Sequence, residues 1–109
     1  MLRAIAMELL PLDEERAVEA RVAAAFTIRA AADPDLAVLF RPQYALLHTS
    51  VADQFRRAGV ANPDGDAREL LCLIEGLRIQ RLLGGIGDDT TVAMVDQVLD
   101  RLEPNALRE

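Results

Sequence analysis

Prolines, glycines and helix-capping residues interrupt this chain at short intervals, and the segments between them are rich in helix-forming residues. Alanine and leucine supply 18 and 17 of the 109 residues, whereas aromatic residues make up only 4%. Alanine and leucine favour helices, while aromatic and β-branched residues favour strands. The sequence therefore predicts an all-α fold. Since 109 residues do not supply two independent hydrophobic cores, it also predicts a single domain.

The interruptions predict five helices behind a short leading helix over 2–10, which ends before Pro11. Aspartate and asparagine cap helix N-termini, proline is tolerated in the first turn, and glycine commonly follows the last turn. Such residues occur at Asp13, Asp33-Pro34, Arg41-Pro42, Gly59, Asn62-Pro63, Gly84-Gly85 and Asp89-Thr90. The predicted helices cover residues 13–32, 35–40, 42–58, 63–83 and 89–102.

The predicted helix over 13–32 has no polar face in its second half. After Arg21 its only charged residue is Arg29. A helix that is apolar on most sides has to be covered on most sides. This pattern predicts that the helix lies at the centre of the domain, with neighbours all round.

The predicted helix over 63–83 carries two apolar stripes on nearly opposite sides. One stripe consists of Leu70, Leu73, Ile74 and Leu77, and the other consists of Cys72, Ile79 and Leu83. One stripe suits the core, whereas the other predicts an interface because it would stay exposed in a monomer of this size. Gly76 lies beside the second stripe, and close approach of another helix commonly compensates for a glycine within a helix.

The last predicted helix is amphipathic, and together with the helix over 63–83 it predicts a homodimer with a four-helix interface. The alternative is that both apolar stripes pack inside one monomer. The predicted interface residues are Cys72, Gly76, Ile79, Leu83, Val95, Val98 and Leu102.

One stripe of the predicted helix over 42–58 indicates a small-molecule pocket. Tyr44 and His48 lie on it among apolar residues, and a mostly apolar site with few polar groups suits a small ligand. The alternative for His48 is a core histidine that bonds to a backbone carbonyl or to water. The predicted ligand-binding residues are Phe26, Arg29, Tyr44, His48, Val51, Phe55 and Glu75.

The charged residues of that set also have simpler structural interpretations. An acidic ligand group is one partner for Arg29, but in the last turn of its helix Arg29 also reaches solvent or terminal carbonyls. Glu75 and Arg78 are spaced for an intrahelical ion pair or for the polar lining of a pocket.

Charge and cysteine content exclude several functions for these residues. The net charge is −6, and among the 12 basic residues, all arginines, only Arg56 and Arg57 are adjacent. The chain therefore lacks the basic footprint of a DNA-binding or membrane-binding surface. The single cysteine leaves no internal disulfide and suits the cytoplasm. No apolar run reaches the length of a membrane span, and no signal peptide is recognisable.

The sequence predicts no catalytic, metal or cofactor site. The only histidine, His48, has no glutamate three residues ahead of it and no second histidine, which excludes common di-iron and zinc motifs. The glycine-rich segment 84–87 follows a predicted helix rather than a strand and precedes no lysine, so it predicts a helix stop rather than a phosphate loop. We therefore expect no enzymatic activity.

Three segments, LLPLDEER over 9–16, ADPDL over 32–36 and LCLIEGL over 71–77, followed by Gln80, resemble the C-terminal domain of tetracycline-repressor (TetR) family regulators. The similarity is to the subgroup typified by the choline-responsive betaine-pathway repressor (BetI). It implies an antiparallel helical bundle that binds a small-molecule effector and forms a homodimer.

The resemblance also implies a structural role for each of two parts of the chain. Residues 1–10 correspond to the end of a linking helix, and residues 11–109 to the effector-binding and dimerisation domain. Regulators of this family contact DNA through an N-terminal helix-turn-helix unit, and this chain has no room for one ahead of Asp13. DNA is therefore an expected partner only through a domain absent from this chain. The alternative function is a stand-alone helical dimerisation module that senses no ligand.

Overall fold

A computed structural model describes residues 2–102, with side chains from residue 3 onward. Met1 and residues 103–109, which the predicted domain boundaries include, lie outside the described residues. The described part contains helices and turns but no strand, which confirms the all-α fold. The helices are α1 (Leu2–Glu8), α2 (Glu14–Ala32), α3 (Pro34–Arg57), α4 (Pro63–Leu82) and α5 (Asp88–Leu102).

Helix-capping residues set most of the boundaries where the sequence predicts them. The Asp13 side chain accepts a hydrogen bond from the Arg16 backbone N–H at 2.8 Å, which satisfies a donor that the helix itself leaves unpaired. Asn62 accepts in the same way at the start of α4. Gly59 and Gly84 adopt positive φ angles of 82° and 79°, which glycine tolerates at the ends of α3 and α4.

The predicted break at Arg41-Pro42 is wrong, because α3 runs without interruption through Pro42. An internal proline leaves the carbonyl four residues earlier, that of Val38, without a helical partner. Both Pro42 and Val38 are exposed. This carbonyl can therefore bond to water, which lowers the cost of continuing the helix.

The core lies between α3, α4 and α5, and α1 packs against α5. Phe55 from α3, Leu70 from α4, and Val95 and Leu99 from α5 are almost completely buried. Among the described residues, α4 packs against α2, α3 and α5. Helix α4 is therefore the central helix of the bundle.

The prediction that α2 is central is wrong for the single chain. It buries only the small side chains of Ala20 and Ala30. Its larger apolar residues Val22, Phe26 and Ile28 are 55%, 52% and 65% exposed. Helix α2 packs mainly on α3 and α4 at the edge of the bundle, so its apolar outer side has no covering element among the described residues.

Ion pairs fasten α1 to the rest of the bundle. The Arg3 guanidinium donates to Asp96 of α5 at 2.7 Å, and this hydrogen bond, with the charge of Asp96, raises the pKa of Arg3. Arg16 of α2 bonds to Glu8 at the end of α1. Within residues 2–102, no helix is both long and apolar enough to cross a membrane.

Candidate functional site

A cavity of about 150 Å³ opens between α3 and α4, next to the segment that follows α1. Successive turns of α3 present Tyr44 and His48, because residues four apart lie on the same side of a helix. The opposite wall belongs to α4, and Leu9, which follows α1, also lines the cavity. The complete lining is Leu9, Tyr44, Leu47, His48, Arg68, Leu71, Cys72, Ile74, Glu75 and Arg78.

Tyr44 connects the cavity to α2. Its hydroxyl oxygen lies 3.1 Å from the hydroxyl of Thr27, and either group can be the donor. Tyr44 and Glu75 also border a neighbouring groove of about 280 Å³ between α2 and α3. A movement of the Tyr44 side chain on α3 would therefore also change its contact with Thr27 on α2.

His48 is held by the backbone of α4. Its Nε2 lies 2.9 Å from the carbonyl oxygen of Asp64, so Nε2 carries the proton and donates it. This contact is the backbone-carbonyl alternative expected for a core histidine. Its Nδ1 has no hydrogen-bond partner among residues 2–102, and the half-buried ring still lines the cavity. His48 therefore joins α3 to the first turn of α4.

Three charged residues of α4 lie along the cavity wall. Arg68, Glu75 and Arg78 are spaced seven and three residues apart, which places them on one side of the helix. Glu75 and Arg78 form no ion pair with each other in the described part of the chain, although their spacing allows one. Both charges line the cavity.

Four of the predicted ligand-binding residues do not line this cavity. Val51 and Phe55 are 5% and 0% exposed and belong to the core below it. Phe26 lies on α2 with its ring centroid 6.3 Å from that of Phe40. Arg29 is exposed in the last turn of α2, as its solvent alternative predicts. Helical spacing places Val51 and Phe55 on the same side of α3 as Tyr44 and His48, but it does not give the depth of each residue on that side.

Seven lining residues were not among the predicted ligand-binding residues: Leu9, Leu47, Arg68, Leu71, Cys72, Ile74 and Arg78. A signal for three of them exists on α4, where Arg68, Leu71 and Arg78 follow, together with Glu75, the three- and four-residue spacing of one helix side. Leu9 carries no such signal, because it follows α1 and reaches the cavity only through the tertiary fold.

An open apolar groove of about 590 Å³ lies on another side of α4. Gly76 lies in the groove, and a Cβ atom added there would have nothing within 4 Å. The described chain therefore gives no internal reason for a glycine at this position, where alanine would favour the helix by about 1 kcal/mol. The groove is lined by Cys72, Leu73, Glu75, Gly76, Leu77, Ile79, Gln80, Ile86 and Met94.

The predicted interface residues differ in their exposure around this groove. Cys72, Gly76 and Ile79 line it, and Leu83 is 76% exposed just beyond α4. Val95 is completely buried in the core, so it has no surface to offer to a second chain. The other two α5 residues, at positions 98 and 102, are half-buried against the core.

Cys72 and Glu75 border both the cavity and the groove. The two sites thus lie on adjoining sides of one helix and share two of its residues. Any shift of α4 that widens the cavity also moves the floor of the groove.

A family model described as BetI-type transcriptional repressor, C-terminal, matches residues 1–104. The matched region includes all the segments that carry the resemblance seen in the sequence, and it confirms that resemblance. No curated protein and no solved structure gives a significant match.

Proposed function

The chain belongs to the family of BetI-type transcriptional repressor C-terminal domains, and from this premise we propose that it binds a small-molecule effector and joins two copies of a regulator. The effector would favour one packing of the helices over another, and a separate domain would contact DNA. The role proposed for these residues is binding and dimerisation in the cytoplasm, without catalysis.

The observation that carries this proposal is the placement of two sites on α4. A cavity with both polar and apolar lining occupies one side, and an open, mostly apolar groove occupies the adjoining side. Cys72 and Glu75 belong to both. Two ligands whose sites share a rigid helix can influence each other when each prefers a different position of that helix.

We assign the groove to a second copy of this chain. Gly76 gains nothing from being glycine in the single chain, whereas close approach of another helix would explain it. The exposed Leu83 extends the apolar surface beyond the groove. Isologous pairing of α4 and α5 with the same helices of a partner would bury this surface.

We assign the cavity to the effector. Tyr44 offers a ring and a hydroxyl, and Leu47, Leu71 and Ile74 supply an apolar surface. Such sites bind small molecules through apolar contact, with a few polar groups that fix orientation. The neighbouring groove between α2 and α3 gives a larger ligand room to extend past Tyr44.

A thermal-shift screen of small apolar and amphipathic compounds tests the sensing role. A compound present at about 100 times its Kd should raise the Tm by roughly 10 °C. Tyr44→Ala should abolish that shift because Tyr44 lines the cavity. Thr49→Ala, an exposed change elsewhere on α3, should retain it.

Failure of every compound in a broad library would contradict the sensing role. A chain that remains dimeric in that case would favour the alternative function, a helical dimerisation module that senses no ligand.

A further inference from the structure

We propose that the cavity between α3 and α4 binds a small organic anion, a carboxylate attached to an apolar body about the size of one aromatic ring. This inference deepens the proposed effector-binding function and depends on it. It rests on the charges, the hydrogen-bond donors and the size of the cavity.

The charge of the cavity lining is opposite in sign to that of the chain. Arg68 and Arg78 outnumber Glu75, whereas the whole chain has a net charge of −6. Neither arginine forms an ion pair within residues 2–102, although Arg3 and Arg56 and other arginines of the same structure do. An acidic protein thus presents to one cavity two guanidinium groups that have no ion-pair partner within residues 2–102.

The available hydrogen-bond donors also favour an anion. A guanidinium group donates through several N–H groups and accepts none, and its planar shape matches a carboxylate. If Thr27 donates its proton to the Tyr44 oxygen, the Tyr44 hydroxyl hydrogen is left to point at a ligand. Arg68 and Arg78 lie about 15 Å apart along α4, so a single carboxylate would accept from Tyr44 and one arginine, while the other arginine adds positive charge to the cavity.

The apolar part of the lining limits the polarity of the rest of the ligand, and the cavity volume limits its size. Leu47, Leu71 and Ile74 contribute side chains with no polar atoms. The volume of about 150 Å³ is similar to that of an engineered protein cavity that holds one benzene molecule. A single ring or a branched chain of similar size fits this space.

Three isosteric probes separate charge from shape: benzoate, neutral benzamide and cationic benzamidine. Each is titrated at millimolar concentrations into the 109-residue chain, and binding is measured from backbone amide chemical shifts. We expect benzoate to bind about tenfold more tightly than benzamide, and benzamidine to bind most weakly. The largest shifts should occur at Tyr44, Leu71 and Cys72. Added salt should weaken benzoate binding and leave benzamide unchanged.

Arginine variants test which residues create the charge preference. The double variant Arg68→Gln with Arg78→Gln should bind benzoate and benzamide equally, through loss of benzoate affinity alone. Both residues are partly or fully exposed, so the variant should fold. Arg57→Gln is the matched control, because Arg57 is exposed on α3 and does not line the cavity. It should leave the tenfold ratio intact.

Two results would overturn the proposal, and they have different consequences for the proposed effector-binding role of the cavity. Tighter binding of benzamide or benzamidine than of benzoate would refute the anion preference and leave an effector cavity in place. No shift at the cavity residues with any of the three probes would refute both the anion and this cavity as the effector site.

Discussion

Helices α2 and α4 have almost the same length, 19 and 20 residues, and each carries apolar residues on more than one side. Helix α4 buries Ala67, Leu70, Ile74 and Leu77. Helix α2 buries two alanines and leaves larger residues such as Val22 more than half exposed. Apolar residues on more than one side of a helix thus accompany both a central position and an edge position.

The difference lies in the size of the residues that face the neighbouring helices. The alanines on the inner side of α2, which packs on α3 and α4, remove little apolar surface from water. The branched residues on the inner side of α4 fill the space between α3 and α5. A helix becomes central because of the volume it contributes to the core, and not because it lacks charged residues.

The largest expected effect separates the buried inner side of α4 from the exposed outer side of α2. Leu70→Ala should lower the free energy of unfolding by about 2–5 kcal/mol, because it leaves a cavity in a packed core. Val22→Ala should change it by less than about 0.5 kcal/mol, since Val22 is 55% exposed. Urea denaturation at one fixed protein concentration measures both changes. Equal losses would mean that the α2 surface is covered in solution.

The next effect concerns the outer sides of the bundle. Gly76→Glu should weaken dimerisation at least 100-fold, about 3 kcal/mol, because it places an unpaired charge in the proposed interface. Sedimentation velocity over a range of concentrations measures the dimer Kd. Thr49→Glu adds the same charge at an exposed position of α3 and should leave the Kd unchanged. A Gly76→Glu chain that dimerises as tightly as the wild type would place the interface elsewhere.

Capping residues allow a smaller and more local comparison. Asp13→Ala removes the acceptor for the Arg16 N–H and should cost about 1 kcal/mol. Because α2 lies at the edge, hydrogen exchange should accelerate mainly in its own first turn. Asp13→Asn keeps an acceptor and should restore most of the protection. Uniform acceleration across α4 as well would show that the two helices unfold as one unit.

The smallest effect is expected at the ion pair between α1 and α5. Arg3→Gln should cost roughly 0.2–1 kcal/mol, since the pair is partly exposed and screened by solvent. Chemical denaturation at low and high salt checks this, because the difference from the wild type should shrink as salt is added. Arg57→Gln, which breaks no ion pair in the described part of the chain, is the control. A difference that does not depend on salt would point to packing by the Arg3 side chain instead.

Much of the fold follows from local signals in the sequence. The caps at Asp13, Asn62 and Gly59 act within one helical turn, so their effect is readable without knowledge of the tertiary structure. Pro42 misled the prediction because the cost of an internal proline depends on whether water reaches the freed carbonyl. The position of α2 misled it because burial depends on which helices lie nearby.

The candidate site was predictable only in part for the same reason. Spacing predicts that Tyr44 and His48 share one side of their helix, and the structure places both on one cavity together with Glu75. Phe55 lies on the same side of α3 as Tyr44, but its side chain is completely buried in the core. Leu9 reaches the cavity through the packing of α1, and helical periodicity contains no information about such long-range contacts.

The central claim is that α4 presents its Gly76 side to a second copy of the chain, and Gly76→Ala tests it most directly. Sedimentation equilibrium should give the wild-type chain a mass twice its 11.9 kDa, and the alanine variant should form a measurably weaker dimer because its Cβ blocks close approach. A wild type that stays monomeric at every concentration, with a variant about 1 kcal/mol more stable through helix propensity alone, would contradict the claim.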